Sequence, residues 1–372
     1  MKIAAPTTIA PRALLARLVA GEPTAVLDVR ADADAPIEAA AARLRHVPAG
    51  EATEAAGALA AELAADTVVV CHRGLSARGV AEALCAAGME APQILDGGMR
   101  GWLHVLRAVP VDLGVEGLQV RQVQRPGRGC LSYVLAAGGE ALVVDPAPDA
   151  AFYRDVADEL GARIVAVFDT HLHADHLSGA RELAASAGAA LHMPQASIDR
   201  GVAYADEVQA VRDGDVLTIG GIDVTAIALP GHTTDMTGLL LAGRVLLSGD
   251  SLFADGLARP DLERGDPDGA RVMARTLHTT LHERVLALGD DVVLLPGHDH
   301  AVVRTGAVAP RLGDVRARVA ELSIADSDEF AEHILQGMPP RPANYAAVID
   351  ANAGRTAVDP DLESGGNSCA TR

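Results

Sequence analysis

The stretch Thr170-His171-Leu172-His173-Ala174-Asp175-His176 places three histidines and an aspartate within seven consecutive residues. The segment before it, Ile164 to Asp169, is mainly apolar and has the composition of a buried β-strand. Alternate residues at a strand end point the same way, so His171 and His173 are placed to converge on one metal ion. The aspartate and the last histidine follow where the chain turns into the next helix, and they face a neighbouring position. Chance surface histidines explain so dense a cluster poorly, and the stretch therefore predicts a metal site.

Three further ligand-type residues each follow an apolar segment and a glycine. Their segments are Leu229-Pro230-Gly231-His232, Leu247-Ser248-Gly249-Asp250 and Leu295-Pro296-Gly297-His298. A glycine at this position permits a tight turn at the edge of a sheet, where functional side chains are often carried. We therefore expect all of these side chains to meet the first cluster at one edge of the fold.

The ordered set resembles the metallo-β-lactamase superfamily, and the resemblance covers roughly Leu118 to Asp350. It implies an αββα sandwich with metal ions at one edge of the paired sheets. In dinuclear members, side chains at the positions of His171, His173 and His232 bind one metal ion, and side chains at the positions of Asp175, His176 and His298 bind the other. The residue at the position of Asp250 bridges the two ions.

Four other segments resemble the persulfide dioxygenase branch of this superfamily. They are Gly129-Cys130-Leu131-Ser132-Tyr133, Gly249-Asp250-Ser251-Leu252-Phe253, Leu257-Ala258-Arg259-Pro260-Asp261-Leu262 and Gly337-Met338-Pro339-Pro340-Arg341-Pro342. These signals are less specific than the ligand set. They favour an oxidative reaction over a hydrolytic one.

The resemblance to that branch implies a single Fe(II) at the positions of His171, His232 and Asp250. Two imidazoles and one carboxylate leave positions on the ion open for O2 and substrate. The implied substrate is a low-molecular-weight thiol persulfide, which is oxidised to sulfite with release of the thiol. The carrier thiol stays open between glutathione, coenzyme A and other small thiols. Arg259 is a candidate for positioning the substrate or for a salt bridge with Asp261.

The ligand set alone does not separate one iron from two zinc ions, because dioxygenases of this branch retain the second-site residues. The alternative hypothesis is a zinc-dependent thioesterase similar to glyoxalase II, in which metal-bound hydroxide is the nucleophile. In that alternative the N-terminal part of the chain is catalytically inactive and serves only to bind a partner. Metal content and O2 uptake distinguish the two hypotheses.

A cysteine in the N-terminal part of the chain is the second candidate for chemistry. The segment Cys71-His72-Arg73-Gly74-Leu75-Ser76-Ala77-Arg78 follows a buried strand and opens a helix. A thiolate there faces backbone N–H groups and the positive end of a helix dipole, which lowers its pKa. Such a loop can cradle a persulfide or an oxyanion. The plainer interpretation is a buried, inert cysteine.

Together with Leu27-Asp28-Val29-Arg30 and the segment from Leu95 to Trp102, this loop resembles a single rhodanese domain over about residues 8 to 107. The resemblance implies that Cys71 carries sulfur. Active rhodanese loops commonly have an arginine five positions after the cysteine, where this chain has Ser76. Such a domain either delivers a persulfide to the metal domain or combines its sulfite with sulfane sulfur to give thiosulfate.

The pattern of strands and helices divides the chain. Strand-like segments at Ala25–Arg30, Thr67–Cys71 and Gln93–Leu95 alternate with a helix at Ala77–Ala87, which predicts a parallel sheet with flanking helices. From Leu118 onward, adjacent strands indicate an antiparallel meander. The predicted ranges are an α/β rhodanese-like domain at 1–108, a linker at 109–117, the αββα domain at 118–350 and a polar, mobile tail at 351–372.

Composition excludes several classes of function. The net charge of −19 disfavours binding to nucleic acid, which needs clustered basic residues. The chain contains no run of 18 apolar residues, and its first residues lack the apolar core of a signal peptide. The four cysteines show no CxxC spacing, so we expect reduced thiols and a cytoplasmic enzyme. The dioxygenase branch often self-associates, which makes a homo-oligomer a further expectation.

Overall fold

The computed structural model describes residues 5–32, 37, 39, 41–264, 266–299, 303, 306–336 and 338–363. Gly337 of the Gly337–Pro342 segment and residues 364–372 of the predicted tail lie outside that range. Within the described residues the chain forms three sheets, of five, seven and five strands. None of the helices described is long and apolar enough to cross a membrane.

A parallel sheet forms the N-terminal part. Its strands are β1 (Thr7–Ile9), β2 (Thr24–Asp28), β3 (Ala42–His46), β4 (Val68–Val70) and β5 (Gln93–Leu95), in the order β1-β5-β4-β2-β3. The helices are α1 (Pro11–Val19), α2 (Ala49–Glu54), α3 (Ala56–Glu62), α4 (Leu75–Ala86) and α5 (Gly98–Leu103). Leu14 of α1 and Trp102 of α5 pack on one face of the sheet, while Leu59 of α3 and Leu84 of α4 pack on the other. Because both faces are covered, a strand such as Val68–Val70 consists of β-branched residues only.

The larger part of the chain builds two further sheets. The first contains β6 (Arg107–Val111), β7 (Leu118–Arg125), β8 (Cys130–Ala137), β9 (Glu140–Val144), β10 (Arg163–Phe168), β11 (Ala190–Pro194) and β12 (Val208–Val211), in the order β12-β11-β10-β9-β8-β7-β6. The second contains β13 (Val216–Ile219), β14 (Ile222–Ala228), β15 (Thr237–Leu241), β16 (Val245–Gly249) and β17 (Val293–Pro296), in that order. The expected meander is present, since β7, β8 and β9 pair in antiparallel fashion.

Helices cover the outer faces of these two sheets. They are α6 (Ala150–Glu159), α7 (Ala180–Ala187), α8 (Gln195–Asp199), α9 (Pro267–Thr279), α10 (Leu312–Arg318), α11 (Ser327–Leu335) and α12 (Tyr345–Asn352), and a π-helical turn (Thr280–Val285) continues α9. One apolar core lies between the sheets and includes Phe168 and Leu247. A second packs Tyr153 of α6 against the first sheet, and a third packs Leu277 of α9 against the second sheet. This layering is the αββα sandwich that the sequence predicts.

Two stretches differ from the predicted ranges. β6 reaches into the predicted linker and pairs with β7, so the larger sheet begins at Arg107. Residues 351–363 are not a mobile tail, because the end of α12 and the 3-10 turn Pro360–Glu363 pack on the body of the domain, and Glu363 is only 1% exposed. A polar composition predicts exposure, but here the polar groups have buried partners.

Candidate metal centre and cysteine loop

Strand direction explains why the ligand-type residues meet. Strand β14 is antiparallel to β15, which is antiparallel to β16, and β17 is parallel to β16. The carboxyl ends of β14, β16 and β17 therefore lie at the same edge of the sheet, and they carry His232, Asp250 and His298. The loop that follows β10 in the facing sheet brings His171 and its neighbours to the same place.

Three side chains at this edge form the first cluster, which we define as His171, His232 and Asp250. His171 Nε2 lies 4.0 Å from Asp250 Oδ2, and His232 Nε2 lies 3.8 Å from the same oxygen. All three atoms are buried, and none has a hydrogen-bond partner among the described residues. Unpaired polar atoms in a protein interior are costly and call for an explanation. Three donor atoms that converge on one point fit a metal ion.

The other polar atom of each first-cluster side chain is engaged. Thr170 Oγ1 donates to Asp145 Oδ2 at 2.9 Å, so it accepts from His171 Nδ1, which is also 2.9 Å away. His232 Nδ1 donates to the carbonyl of Arg259 at 2.8 Å. In both rings the proton is therefore fixed on Nδ1, and the lone pair on Nε2 is free to bind a metal.

Charge also favours metal binding at the first cluster. Burial and the neighbouring His173 lower the pKa of His171 to about 3, so this ring is neutral at physiological pH. Although burial disfavours the carboxylate, contact with the histidines, foremost His298, lowers the pKa of Asp250 below its usual range. A neutral imidazole and an ionised carboxylate are the protonation states that metal ions require.

His173 does not join the first cluster. Its Nε2 lies 3.3 Å from Asp145 Oδ1 and 3.8 Å from Asp169 Oδ1, and these three residues form a separate buried group. Although burial disfavours the charged ring, the two carboxylates raise its pKa well above the ordinary value. The His173 ring still lies against the His171 ring, with centroids 4.3 Å apart, but its ligand atom groups with Asp145 and Asp169 and not with His171 and His232.

The second cluster, which we define as Cys130, Asp175, His176 and His298, lies beside the first. Asp175 Oδ1 accepts from His176 Nδ1 at 2.9 Å, and Asp175 Oδ2 accepts from His298 Nε2 at 2.9 Å. His298 Nδ1 reaches Asp250 Oδ1 at 2.8 Å and joins the two clusters. Although burial opposes it, Asp175 raises the pKa of His176 to about 9. This cluster is closed by its own hydrogen bonds.

Cys130 is the member of this cluster that the ligand pattern does not identify. Its Sγ lies 3.9 Å from Asp175 Oδ2, and although burial disfavours the thiolate, His176 and His298 lower its pKa to about 6. The strand order is a signal from which the position of Cys130 could have been predicted. Since β8 is antiparallel to β9, and β9 is parallel to β10, the first residue of β8 must lie beside the end of β10.

The glycines before the ligands allow close packing, as their positions predict. Gly249 has φ +50°, a conformation that other residues rarely adopt. A Cβ on Gly297 would collide with Asp250 Oδ1 and with the backbone of Gly249. The first cluster therefore depends on the absence of a side chain at position 297.

Comparison with known proteins shows the family to which the chain belongs. The family model of the metallo-beta-lactamase superfamily matches residues 125–298. Hydroxyacylglutathione hydrolase of Anaeromyxobacter dehalogenans is 32% identical over 243 residues, which are 64% of this chain and 84% of that protein. The chain belongs to the metallo-β-lactamase superfamily. Another member, the mitochondrial persulfide dioxygenase ETHE1 of Homo sapiens, is 31% identical over 186 residues, which are 49% of this chain and 68% of that protein.

Solved structures of the superfamily share the fold. The crystal structure of ETHE1 from Myxococcus xanthus is 27% identical with a TM-score of 0.54, and the match covers 63% of this chain and 98% of that one. A metallo-beta-lactamase from Staphylococcus aureus subsp. aureus COL is 27% identical with a TM-score of 0.60, covering 66% of this chain and 75% of that one.

Arg259, the candidate for substrate positioning, lies inside this metallo-β-lactamase fold. Its side chain is fully buried and forms two hydrogen bonds with Asp261, at 2.7 and 3.0 Å. It also donates to the carbonyls of Pro339 and Pro340. Its own carbonyl accepts from His232, so Arg259 supports the first cluster through its backbone.

Cys71 lies at the end of β4, where the chain turns into α4. Its Sγ accepts a hydrogen bond from Gly74 N at 3.1 Å. Although burial disfavours the thiolate, hydrogen bonds from the Ser76 hydroxyl and from backbone N–H groups of the loop lower the pKa of Cys71. Ser76 is thus itself a partner of the sulfur.

The Cys71 loop borders a cleft of about 610 Å³. Arg30, His72 and Ser76 line it together with Cys71. Asp28 holds Arg30 through a buried pair, with Arg30 Nη2 2.7 Å from Asp28 Oδ2, which agrees with a structural role for that aspartate. The cleft therefore presents the thiol with hydrogen-bond donors around it.

Proposed function

We propose that the chain is a persulfide dioxygenase that holds one Fe(II) at the first cluster and oxidises a low-molecular-weight thiol persulfide with O2. The observation that carries the proposal is the contrast in hydrogen bonding between the clusters. The first leaves His171 Nε2, His232 Nε2 and Asp250 Oδ2 without partners, and the second satisfies its own polar atoms. A site with three open donors fits one ion.

The donor set favours iron as that ion. Two imidazoles and one carboxylate are the ligands of the non-haem Fe(II) oxygenases, which keep positions open for O2 and substrate. When bound, Fe(II) supplies the one-electron chemistry that dioxygen requires. The protein's part is to hold His171 and His232 with Nε2 deprotonated and to hold Asp250 through His298.

The proposed reaction balances without another reactant except water. A persulfide RSSH, O2 and H2O give RSH, sulfite and two protons. The S–S bond breaks, the outer sulfur gives up four electrons to O2, and the inner sulfur leaves as the thiol. The similarity to the persulfide dioxygenase ETHE1 of Homo sapiens, and to the structure of ETHE1 from Myxococcus xanthus, supports this choice of substrate.

A second candidate function is a thioesterase with two zinc ions. All seven ligand-type positions are present, and the Anaeromyxobacter dehalogenans relative is a hydroxyacylglutathione hydrolase. The seven ligand-type side chains would hold the two zinc ions, which would supply Lewis-acid chemistry and activate water for hydrolysis of the thioester. The hydrogen bonds within the second cluster would then have to open to admit the second ion.

Metal content and oxygen uptake test the proposal. The protein is purified without oxygen, its metals are counted, and O2 consumption is followed with glutathione persulfide and with coenzyme A persulfide. We expect about one iron per chain and one sulfite formed per O2 consumed. Two zinc ions per chain, with thioester hydrolysis and no O2 uptake, would replace the dioxygenase by the hydrolase.

We further propose that Cys71 transfers sulfur as part of this activity. A sulfane sulfur on Cys71 as a persulfide, attacked by sulfite, gives thiosulfate and returns the Cys71 thiolate. The lowered pKa of Cys71 and the donors around its sulfur support a carrier role. The alternative is a domain that only docks a partner.

Replacement of Cys71 separates the two roles. In Cys71→Ser we expect sulfur transfer to disappear while O2 uptake with an added persulfide continues. Mass spectrometry should detect one extra sulfur on Cys71 in the unmodified chain after treatment with a persulfide. Transfer that persists in the Ser variant would mean that Cys71 is not the carrier.

A further inference from the structure

The loop that carries four of the ligand-type residues has no regular secondary structure. This ligand loop, residues 169–179, connects β10 to α7 and is almost entirely buried. Buried backbone N–H and C=O groups need hydrogen-bond partners, and a loop without helix or strand pairing must find them elsewhere. The partners therefore identify what holds the loop in shape.

Many of these partners come from one distant segment, Tyr345–Glu363, which we call the C-terminal strap. Asn352 Nδ2 donates to the carbonyls of His173 at 2.9 Å and His176 at 2.8 Å. Asn352 Oδ1 accepts from Ser178 N at 2.9 Å. One side chain of the strap thus satisfies three backbone groups of the ligand loop.

Glu363 makes the second attachment. Its Oε1 accepts from the N–H of Leu177 at 2.9 Å, directly after His176 in the chain. Arg125 donates to both carboxylate oxygens of Glu363, at 2.7 and 2.8 Å. Arg128 donates to the carbonyls of Glu363, at 2.9 Å, and of Asp175. Two arginines and a glutamate therefore tie the strap to the ligand loop.

The strap also has contacts that do not involve Glu363. Tyr345 and Ile349 pack against Ala174 and Leu262, and Tyr204 donates to the carbonyl of Asn352. The ion pair is a costly addition, because Arg125 is 2% exposed, Glu363 is 1% exposed, and both charges lose their water. A geometric requirement at the ligand loop explains why such a pair is present.

We propose that Glu363 and Asn352 are positioning residues of the metal centre, and that the strap holds the ligand loop in its metal-binding shape. A series of direct contacts connects the strap to the first cluster. Glu363 and Arg128 fix the backbone on either side of His176, the Asp175 carboxylate holds His298, and His298 holds Asp250. The inference rests on the proposed metal centre at the first cluster.

Cobalt binding tests this inference without any substrate. Co(II) is titrated into the metal-free full chain, and its dissociation constant and visible absorption spectrum are recorded. In Glu363→Ala we expect the dissociation constant to rise about 10- to 100-fold, the range found for residues that orient metal ligands, with altered absorption bands. Glu363→Gln keeps an acceptor for Leu177 N, so its loss should be smaller. Asn352→Ala should weaken Co(II) binding as well.

The control lies in the same strap. Arg355 donates to the carbonyls of Arg200 and Gly201, away from the ligand loop, and Arg355→Ala should bind Co(II) as the unmodified chain does. Thermal unfolding followed by far-ultraviolet circular dichroism reports whether each variant is folded. If Glu363→Ala does not unfold cooperatively, Glu363→Gln and Asn352→Ala decide.

The outcomes separate this inference from the proposed function. Folded Glu363 and Asn352 variants with unchanged Co(II) affinity and spectrum would overturn the positioning role and leave the metal centre intact. An unmodified chain that binds no Co(II) would overturn both. Weaker binding by all three strap variants, including Arg355→Ala, would mean that the strap acts only as general packing.

Discussion

The first and second clusters both contain two histidines and an aspartate, and the second also contains Cys130, but the hydrogen bonding of these shared side chains differs. In the first, each side chain has one polar atom held by the protein and one left open, as in His232 with Nδ1 bonded and Nε2 free. In the second, Asp175 accepts from both His176 and His298. Residue type alone does not distinguish the clusters, whereas their hydrogen bonds do.

This difference explains why the second cluster has ligand-type residues although it binds no ion in the proposed enzyme. His298 bridges Asp175 and Asp250, so the second cluster orients the carboxylate of the first. Partners of this kind fix the direction of a metal ligand and raise metal affinity. We therefore expect first-cluster variants to lose the ion and second-cluster variants to weaken its binding.

The largest effect is expected for His232→Ala. Removal of one of three ligands should strip the iron and abolish O2 uptake, whereas His176→Ala should retain iron with reduced affinity. Iron content by elemental analysis and O2 consumption measure both. His333→Ala is the control, because that ring is exposed and lies near Glu321. Equal iron loss in the His232 and His176 variants would remove the distinction between the clusters.

A second metal ion should bind in a strongly pH-dependent manner. It must displace the proton of His176, whose pKa is about 9, and each displaced proton changes affinity about tenfold per pH unit below that value. Because His176 is half deprotonated at pH 9 and about 1% deprotonated at pH 7, this proton alone should make Zn(II) bind about 50-fold more tightly at pH 9. Calorimetric titration in buffers of different ionisation enthalpy counts the protons released.

The same proton affects the metal-free protein. Because the folded pKa of His176 lies above its ordinary 6.5, the protonated ring stabilises the fold fully below about pH 6.5, and this stabilisation is lost as pH rises through about 9. A second Zn(II) that binds with no pH dependence would show that the hydrogen bonds of the second cluster do not hold protons.

Gly297→Ala should disturb the first cluster without changing a ligand. The added Cβ would collide with Asp250 Oδ1, and the carboxylate must leave the position in which its Oδ2 faces His171 and His232. We expect Co(II) affinity to fall about 10- to 100-fold, as for other changes that misdirect a ligand. Gly256→Ala is the matched control, because a Cβ there meets no atom within 4 Å. Unchanged affinity in Gly297→Ala would mean that Asp250 tolerates the shift.

The sequence predicts the edge at which the ligand-type side chains meet because its signals are local. His232, Asp250 and His298 each follow an apolar strand and a glycine within a few residues, and strand direction then brings the strand ends together. It cannot separate His173 from His171, since alternation along a strand end gives both the same direction. The carboxylates of Asp145 and Asp169 lie beside His173 Nε2, and they become its neighbours only in the folded chain.

The contacts that sequence reasoning misses join distant parts of the chain. Glu363 lies in a polar segment that predicts mobility, but its partners Arg125 and Leu177 are far away in sequence. Strand Ala42–His46 is also missed, because four of its five residues are exposed, and Arg43 and Arg45 on either side of Leu44 leave no apolar pattern. Burial that comes from long-range pairing leaves no local signature.

Thr170→Val should have the smallest effect on metal affinity among these variants. It tests directly how Nε2 of His171 is kept free of its proton. Valine keeps the shape but removes the hydroxyl that accepts from His171 Nδ1 and donates to Asp145. His171 can then carry its proton on Nε2, which competes with metal binding. We expect about a tenfold loss of Co(II) affinity, at the lower end of the range for such partners.

Thr67→Val is the matched control, since Thr67 is also buried and donates to a backbone carbonyl, that of Ala64, in the N-terminal sheet region. If both valine variants bind Co(II) equally well, the proton on His171 is not fixed by Thr170. If only Thr170→Val binds weakly, the open state of Nε2 depends on a bonded Nδ1. Hydrogen bonding would then account for both clusters, because it leaves the first cluster able to bind an ion and keeps the second cluster protonated.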